Sequence, residues 1–232
     1  MTKLAVISGG GTGIGAEIAR SLSADGYDLI LCGRRADLLK EVASTLEGAV
    51  AVTCDLRTSA APVVSAVAGR PVDAVINNAG GYIGLTATVE RQWRDTFETN
   101  VMTAVNLTGA LLPSLRRPGG RVITFSSIAA QRGGGGPYSA MKAALHGYTL
   151  DLAVQLGPDG VTANVISPGY VEDTEFFAGR MTPEGHASRV GQTLVGRAGT
   201  PADIASTVRW LLDSGYVTGQ IINVNGGSVL GR

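Results

Sequence analysis

The sequence is short of the residues from which metal, disulfide and nucleic-acid sites are built. It holds two cysteines and two histidines in 232 residues, and neither Cys32 nor Cys54 has a His or Cys neighbour at a zinc-ligand spacing. No metal site is expected. Each cysteine lies at the end of an apolar run, which suits a buried thiol better than a disulfide. An excess of one charge is also missing: Lys+Arg 19 balance Asp+Glu 19, which argues against a partner made of nucleic acid or anionic membrane. No apolar run approaches the roughly 18 residues of a membrane span, and the apolar part of MTKLAVISGG is too short for a signal-peptide core. A soluble, cytoplasmic protein is the expectation. Charged residues are only 16% and hydrophobic ones 44%, which excludes a largely disordered chain. Area scaling at this length buries roughly 70% of the unfolded chain's surface, enough for a core without a metal or cross-link.

Glycine is what the chain has in excess, 33 residues with no collagen or low-complexity period. Short apolar runs at 4–7, 29–32, 49–54, 74–76, 122–125, 162–166 and 220–224 lack polar alternation and read as strands buried on both faces. Helical patterns at 13–25, 36–46, 60–68, 88–115, 137–156 and 201–213 separate them, which implies parallel strands and right-handed crossovers. Thr200-Pro201 reads as an N-cap followed by Pro at the first helical position, and Gly157-Pro158 closes the helix before it. No linker, repeat or charge block divides the chain, so one domain is expected. The stretch 169–200, with scattered glycines and weak periodicity, reads as an insertion able to move.

Ser8-Gly9-Gly10-Gly11-Thr12-Gly13-Ile14-Gly15 follows the first strand and opens the first helix. Backbone N–H groups and the positive helix end would face a phosphate there, where any Cβ would push it away. The alternatives are a plain tight turn and a methyltransferase loop for S-adenosylmethionine. The second strand ends in Cys32-Gly33-Arg34-Arg35, where an NAD site normally offers a carboxylate to the adenosine ribose. Asp28, at the strand's other end, is about 13 Å away. An arginine at this place suits a 2′-phosphate, so NADP(H) is favoured over NAD(H), the alternative being a solvated pair of arginines. Asp55, ending the third strand, is a candidate for adenine contact or a plain N-cap.

Tyr138 and Lys142 are one helical turn apart. A phenol titrates near ~10, and an ammonium ~4.5 Å away would favour phenolate by roughly 3–4 kcal/mol, drawing it toward neutrality. A proton donor for neutral pH would result.

Taken with Asn77-Asn78-Ala79-Gly80, Asn100, Ser126-Ser127 and Pro168-Gly169, the glycine loop and the Tyr138–Lys142 pair make the chain resemble the short-chain dehydrogenase/reductase family along essentially its whole length. Within the family it looks most like 3-oxoacyl-acyl-carrier-protein reductases and related carbonyl reductases. The resemblance implies an α/β fold, a Rossmann-like doubly wound parallel sheet of about seven strands with helices on both faces. It implies hydride exchange between NAD(P)(H) and a small-molecule carbonyl or alcohol, including one carried on an acyl carrier protein, and a homotetramer or homodimer. Tyr138 would protonate the substrate oxygen. Lys142 would lower the phenol and hold the nicotinamide ribose, Ser127 (rather than Ser126) would bind the oxygen, and Asn100 would anchor a water leading to Lys142. Asn78, Ala79 and Gly80 would line the cofactor channel. Leu56, beside Asp55, would touch the cofactor, as would Pro168, Gly169, Val171 and Thr174. The family's nicotinamide-binding threonine usually falls at the position of Asp173, one residue earlier than Thr174. The spacing from Ser127 to Tyr138 is also shorter than usual, the shortfall lying in Arg132-Gly133-Gly134-Gly135-Gly136-Pro137. Residues 170–195 would form the substrate lid, with Phe176, Phe177 and Met181 toward an acyl chain or ring. Arg116, Arg117 and Arg132 would supply a basic rim for a carrier protein, or be solvated surface residues. Alternatives are an alcohol, sugar or steroid dehydrogenase working oxidatively, and a sensor or scaffold that binds the cofactor without turnover.

Overall fold

The computed structural model describes residues 2–177, 179 and 181–230. Along the chain run β1 (Leu4–Ser8), α1 (Gly13–Ala24), β2 (Asp28–Gly33), α2 (Ala36–Ser44), β3 (Ala49–Thr53), α3 (Ala61–Val67) and β4 (Ala74–Asn77). They are followed by α4 (Val89–Phe97), α5 (Thr103–Leu111), β5 (Arg121–Phe125), α6 (Ala129–Arg132), α7 (Pro137–Leu156) and β6 (Thr162–Pro168). The last elements are α8 (Pro183–Val190), α9 (Pro201–Asp213) and β7 (Ile221–Val224). The seven strands pair in parallel in the order β3-β2-β1-β4-β5-β6-β7.

Residue parity decides which face each strand position covers. Ala5, Ile7, Leu29, Leu31 and Ile76 meet one layer, formed by α1, α2 and α9 through Ile18, Leu22, Leu39, Val42, Ile204 and Val208. Leu4, Val6, Ile30, Val75 and Val122 meet the other, formed by α3, α5 and α7 through Val63, Val67, Leu107, Leu111, Leu152 and Leu156. Both faces are covered, so the central strands carry no polar alternation. The two outer strands depart from the expectation of full burial. β3 and β7 have a neighbour on one side only, Val50 of β3 is 52% exposed, and every residue of β7 is part-exposed. Cys32 and Cys54 are both free and buried.

The helix expected over 88–115 is not continuous. α4 and α5 are joined by a π-helical turn, Glu98–Met102, and helix ends at Leu111. A π turn changes the residue count per turn, which a 3.6-residue pattern does not register. Two short helices, α6 and α8, were not expected. The stretch 169–200 contains α8, a 3₁₀ turn at Glu175–Phe177 and a bridge from Val171 to Gly199. α9 opens on Thr200 and Asp203 in a reciprocal capping box, with Pro201 in its first turn. Among the described residues no helix is long and apolar enough to cross a membrane. The carboxyl ends of the strands open on one side, and the strand order reverses between β1 and β4, where doubly wound sheets bind their ligands.

Candidate active site

A cleft of about 1140 Å³ lies over the carboxyl ends of β1 to β6. Its first wall is the glycine loop. Gly9 and Gly13 have φ of +68° and +50°, and a Cβ on Gly15 would fall 2.1 Å from the carbonyl oxygen of Gly9. Only glycine closes the chain this tightly. Thr12, the N-cap of α1, makes no side-chain cap, so the first N–H groups of the helix lack that partner. Gly9, Thr12, Gly13, Ile14 and Gly15 line the cleft. Ser8 and Gly11 stand behind it. The Ser8 hydroxyl donates to the Ile76 carbonyl and accepts from the N–H groups of Asn78 and Ala79 at 3.1 and 3.0 Å, stitching β1 to β4 at the switch point. A Cβ on Gly11 would meet the backbone of Leu38 and Leu39 at 3.2 Å, so that glycine lets α2 approach.

Beyond the loop, Arg34 and Arg35 line the cleft at the end of β2. Arg34 is exposed and has no carboxylate at ion-pair distance among the described residues. Arg35 is held by Glu175, with Nη2 to Oε2 at 2.6 Å. Asp55 is gripped by Arg57 at 2.5 Å, which holds its carboxyl below the usual carboxylate range. Leu56 is buried, and its carbonyl accepts from Asn106 at 2.8 Å.

Tyr138 and Lys142 project from the start of α7 into the far end of the same cleft. Lys142 is 4% exposed; its Nζ donates to the Phe125 carbonyl at 2.8 Å and lies 5.7 Å from the centre of the Tyr138 ring. Burial pushes the amine down to about 8 and the phenol up to about 12, with hydrogen bonding to Ser127 pulling the phenol the other way. This reverses the direction expected from the one-turn spacing. Loss of water disfavours phenolate and ammonium alike, and the amine is spent on Phe125.

The two serines after β5 divide. Ser126 is buried and joins the Lys142 carbonyl and His146 Nε2, each at 2.8 Å. Ser127 accepts from Ala129 N–H at 3.1 Å and is the hydroxyl beside the phenol. The short spacing to Tyr138 is spanned by α6 and by glycines 133, 134 and 136, all at positive φ. Asn100 sits in the π turn, fully buried and outside the cleft lining. Its amide donates to the carbonyls of Gly81 and Thr96 and accepts from Gly81 N–H, so the side chain fastens the loop after β4. Asn78, Ala79 and Gly80 line the cleft, and a Cβ on Gly80 would lie 3.1 Å from Lys142 Nζ. Asn77 is turned inward to Thr108.

Over the top lies the segment after β6. Pro168, Gly169, Val171 and Thr174 line the cleft, and Thr174 packs over Gly13 while donating to the Val171 carbonyl at 3.2 Å. Phe176 stands 5.5 Å from the Tyr138 ring and 4.8 Å from Phe177, and Tyr82 closes the opposite side at 6.4 Å. Met181 also lines this end. Of the two readings of the arginines, the surface one fits Arg116 and Arg117, which are part-exposed and paired with Asp73 and Asp159 away from the cleft, while Arg132 lines it. Sequence reasoning missed Glu175, His146 and Tyr82, each of which acts through partners remote in sequence or one helical turn away.

A family profile described as "Enoyl-(Acyl carrier protein) reductase" matches residues 9–228. The chain is 35% identical to the short-chain reductase protein NovJ of Streptomyces niveus, over 97% of this chain and 93% of that protein. It is 30% identical to the 3-oxoacyl-[acyl-carrier-protein] reductase FabG of Escherichia coli, over 97% and 96% of the two chains. Among solved structures it resembles a variant of actinorhodin polyketide ketoreductase with NADPH, at a TM-score of 0.87 and 30% identity, covering 98% of this chain and 97% of that one.

Proposed function

Because the chain belongs to the short-chain dehydrogenase/reductase family and is an oxidoreductase of that family, we propose that it reduces a ketone to a secondary alcohol, using NADPH in preference to NADH. The observation that carries this reading is the meeting of a phenol, a buried amine and a hydroxyl, Tyr138, Lys142 and Ser127, at one end of a cleft whose other end is the glycine loop. The loop fits a dinucleotide on its own geometry, since Cβ atoms at positions 9 and 15 would clash with Asn78 and the Gly9 carbonyl and force open the tight turn that lines the cleft at the start of α1, where helix N–H groups suit a pyrophosphate. Arg34, with no carboxylate at ion-pair distance, supports a contact with a 2′-phosphate. The chemistry such a cofactor supplies when bound is a hydride for the carbonyl carbon.

Tyr138 holds the proton that the substrate oxygen needs, and its raised affinity keeps the phenol protonated at neutral pH. The Ser127 hydroxyl donates to the same oxygen and stabilises the charge that gathers there. Lys142, an ammonium below its lowered value of about 8, carries the proton that it returns to the phenol side of the site. Phe176 and Phe177 keep water from the reacting carbon and face an acyl chain or ring. A 3-oxoacyl thioester is the substrate class we favour, on the likeness to FabG and this apolar wall. The exposed Trp93 and Phe97 of α4 and Leu150 and Val154 of α7 support a homotetramer, which light scattering tests.

The decisive experiment follows NADPH absorbance with a panel of 3-oxoacyl thioesters and simple ketones. Tyr138→Phe should lower kcat by at least about a thousandfold and leave the dissociation constant of NADPH unchanged. Turnover that survives this change would reject the assigned acid.

A further inference from the structure

Glu175 stands at the mouth of the cofactor end of the cleft, in the 3₁₀ turn that follows Thr174. Its carboxylate takes both arms of one guanidinium, Arg35 Nη1 to Oε1 at 3.0 Å and Nη2 to Oε2 at 2.6 Å. The Thr12 hydroxyl closes the triangle: it donates to Glu175 Oε2 and accepts from Arg35 Nη2, both at 3.1 Å. Three segments distant in sequence therefore meet at one carboxylate, namely the glycine loop, the end of β2 and the segment that roofs the cleft.

We infer that Glu175 limits the preference for NADPH by occupying Arg35, so that a dinucleotide with a phosphate on its adenosine ribose must displace this carboxylate, whereas one with a bare ribose need not. The inference rests on the reading of the cleft as a nicotinamide-dinucleotide site. A guanidinium presents one bidentate face well suited to a carboxylate or phosphate, and Glu175 uses it. The Arg35 and Glu175 side chains are 57% and 52% exposed, so their pairing is weak enough to exchange. Arg34 beside it has no carboxylate at ion-pair distance among the described residues, and removing the Glu175 charge leaves two arginines at this wall of the cleft, with the nearby Asp55 held by Arg57. Occupation of Arg35 by phosphate also unties the roof from the end of β2, leaving Thr12 of the glycine loop to hold Glu175.

The test is calorimetric binding of NADPH and NADH to the wild type, Glu175→Gln, Arg35→Met and the double variant, with thermal unfolding to confirm that each folds. Glu175→Gln should tighten NADPH about fivefold and leave NADH within about twofold, and the gain should vanish in the Arg35→Met background. Glu175→Asp, whose shorter arm loosens the clasp, should show a smaller gain of the same sign. Equal weakening of both cofactors by Glu175→Gln would overturn the inference, since it marks a carboxylate that only orders the roof. So would an unchanged NADPH affinity, or a gain that persists without Arg35. The wild-type ratio reports on the proposed preference separately. A wild type that binds both cofactors equally, turned selective for NADPH by Glu175→Gln, would contradict that preference while supporting the clasp.

Discussion

The Lys142 amine donates to the carbonyl oxygen of Phe125 at 2.8 Å, tying the end of β5 to the first turns of α7 through a buried amine. Burial lowers that amine from its ordinary 10.5 to about 8. The unfolded chain keeps the proton up to 10.5 while the folded chain releases it near 8, so this residue's contribution to stability grows between those values and is complete above them. It is lost as pH falls through about 8. Lys142→Met should therefore be more stable than the wild type at neutral pH, by up to about 3 kcal/mol, and the advantage should shrink as pH rises. Urea titrations below pH 10, clear of the phenol's own transition, measure it; an advantage independent of pH would contradict the burial argument.

Ser126 and Ser127 should separate into a structural and a catalytic serine. Ser127→Ala removes the hydroxyl beside the phenol and should lower kcat by about 10- to 100-fold with NADPH affinity unchanged. Ser126→Ala leaves the Lys142 carbonyl and His146 without their shared partner and should destabilise the fold by about 1–2 kcal/mol. Its kcat should stay within a few-fold of wild type. Steady-state kinetics beside thermal unfolding distinguishes the two, and the opposite assignment would show as kcat loss in Ser126→Ala alone.

How much of this was legible beforehand follows from the range of each interaction. Strands such as β1 and β4 are written into short runs of Leu, Val, Ile and Ala because both their faces are buried, and the glycine loop is local by nature. The outer strands look the same in sequence, since Val50 does not show that nothing covers it. The π turn at Asn100 was invisible to a helical period. The choice between a basic rim and solvated arginines stayed open for a related reason: an arginine's place on the molecule depends on which strand end its loop joins, and Asp73, 43 residues away, captures Arg116. Glu175 had no local signal at all, because its partners lie 140 and 163 residues away. α8 could have been found, as Thr182-Pro183 repeats the N-cap pattern recognised at Thr200-Pro201.

Arg34 should carry the discrimination between cofactors that remains when Arg35 is clasped. Arg34→Met removes the unclasped guanidinium at the adenosine end and should raise KM for NADPH about tenfold while that for NADH changes little. Equal effects on both would show that Arg34 meets a part of the cofactor common to the two.

Two glycines lining the same cleft should fail in different ways. At Gly15 a Cβ meets the backbone oxygen of Gly9 at 2.1 Å and Asn78 Nδ2 at 2.7 Å, and a backbone oxygen cannot withdraw without opening the loop. Gly15→Ala should lose NADPH binding and about 3 kcal/mol of stability together. At Gly80 the obstacles are side-chain ends, Asn100 Oδ1 at 2.8 Å and Lys142 Nζ at 3.1 Å. Asn100, the nearer obstacle, is held by Gly81 and Thr96 and must give by a few tenths of an ångström, and the amine beside it yields as well. Gly80→Ala should fold with a loss of about 1 kcal/mol, bind NADPH nearly as the wild type, and lose kcat because Lys142 is moved off Phe125. Calorimetry against steady-state kinetics reads the split. A Gly80→Ala variant with full kcat would mean that the amine's position within the site does not matter to the proton it is assigned.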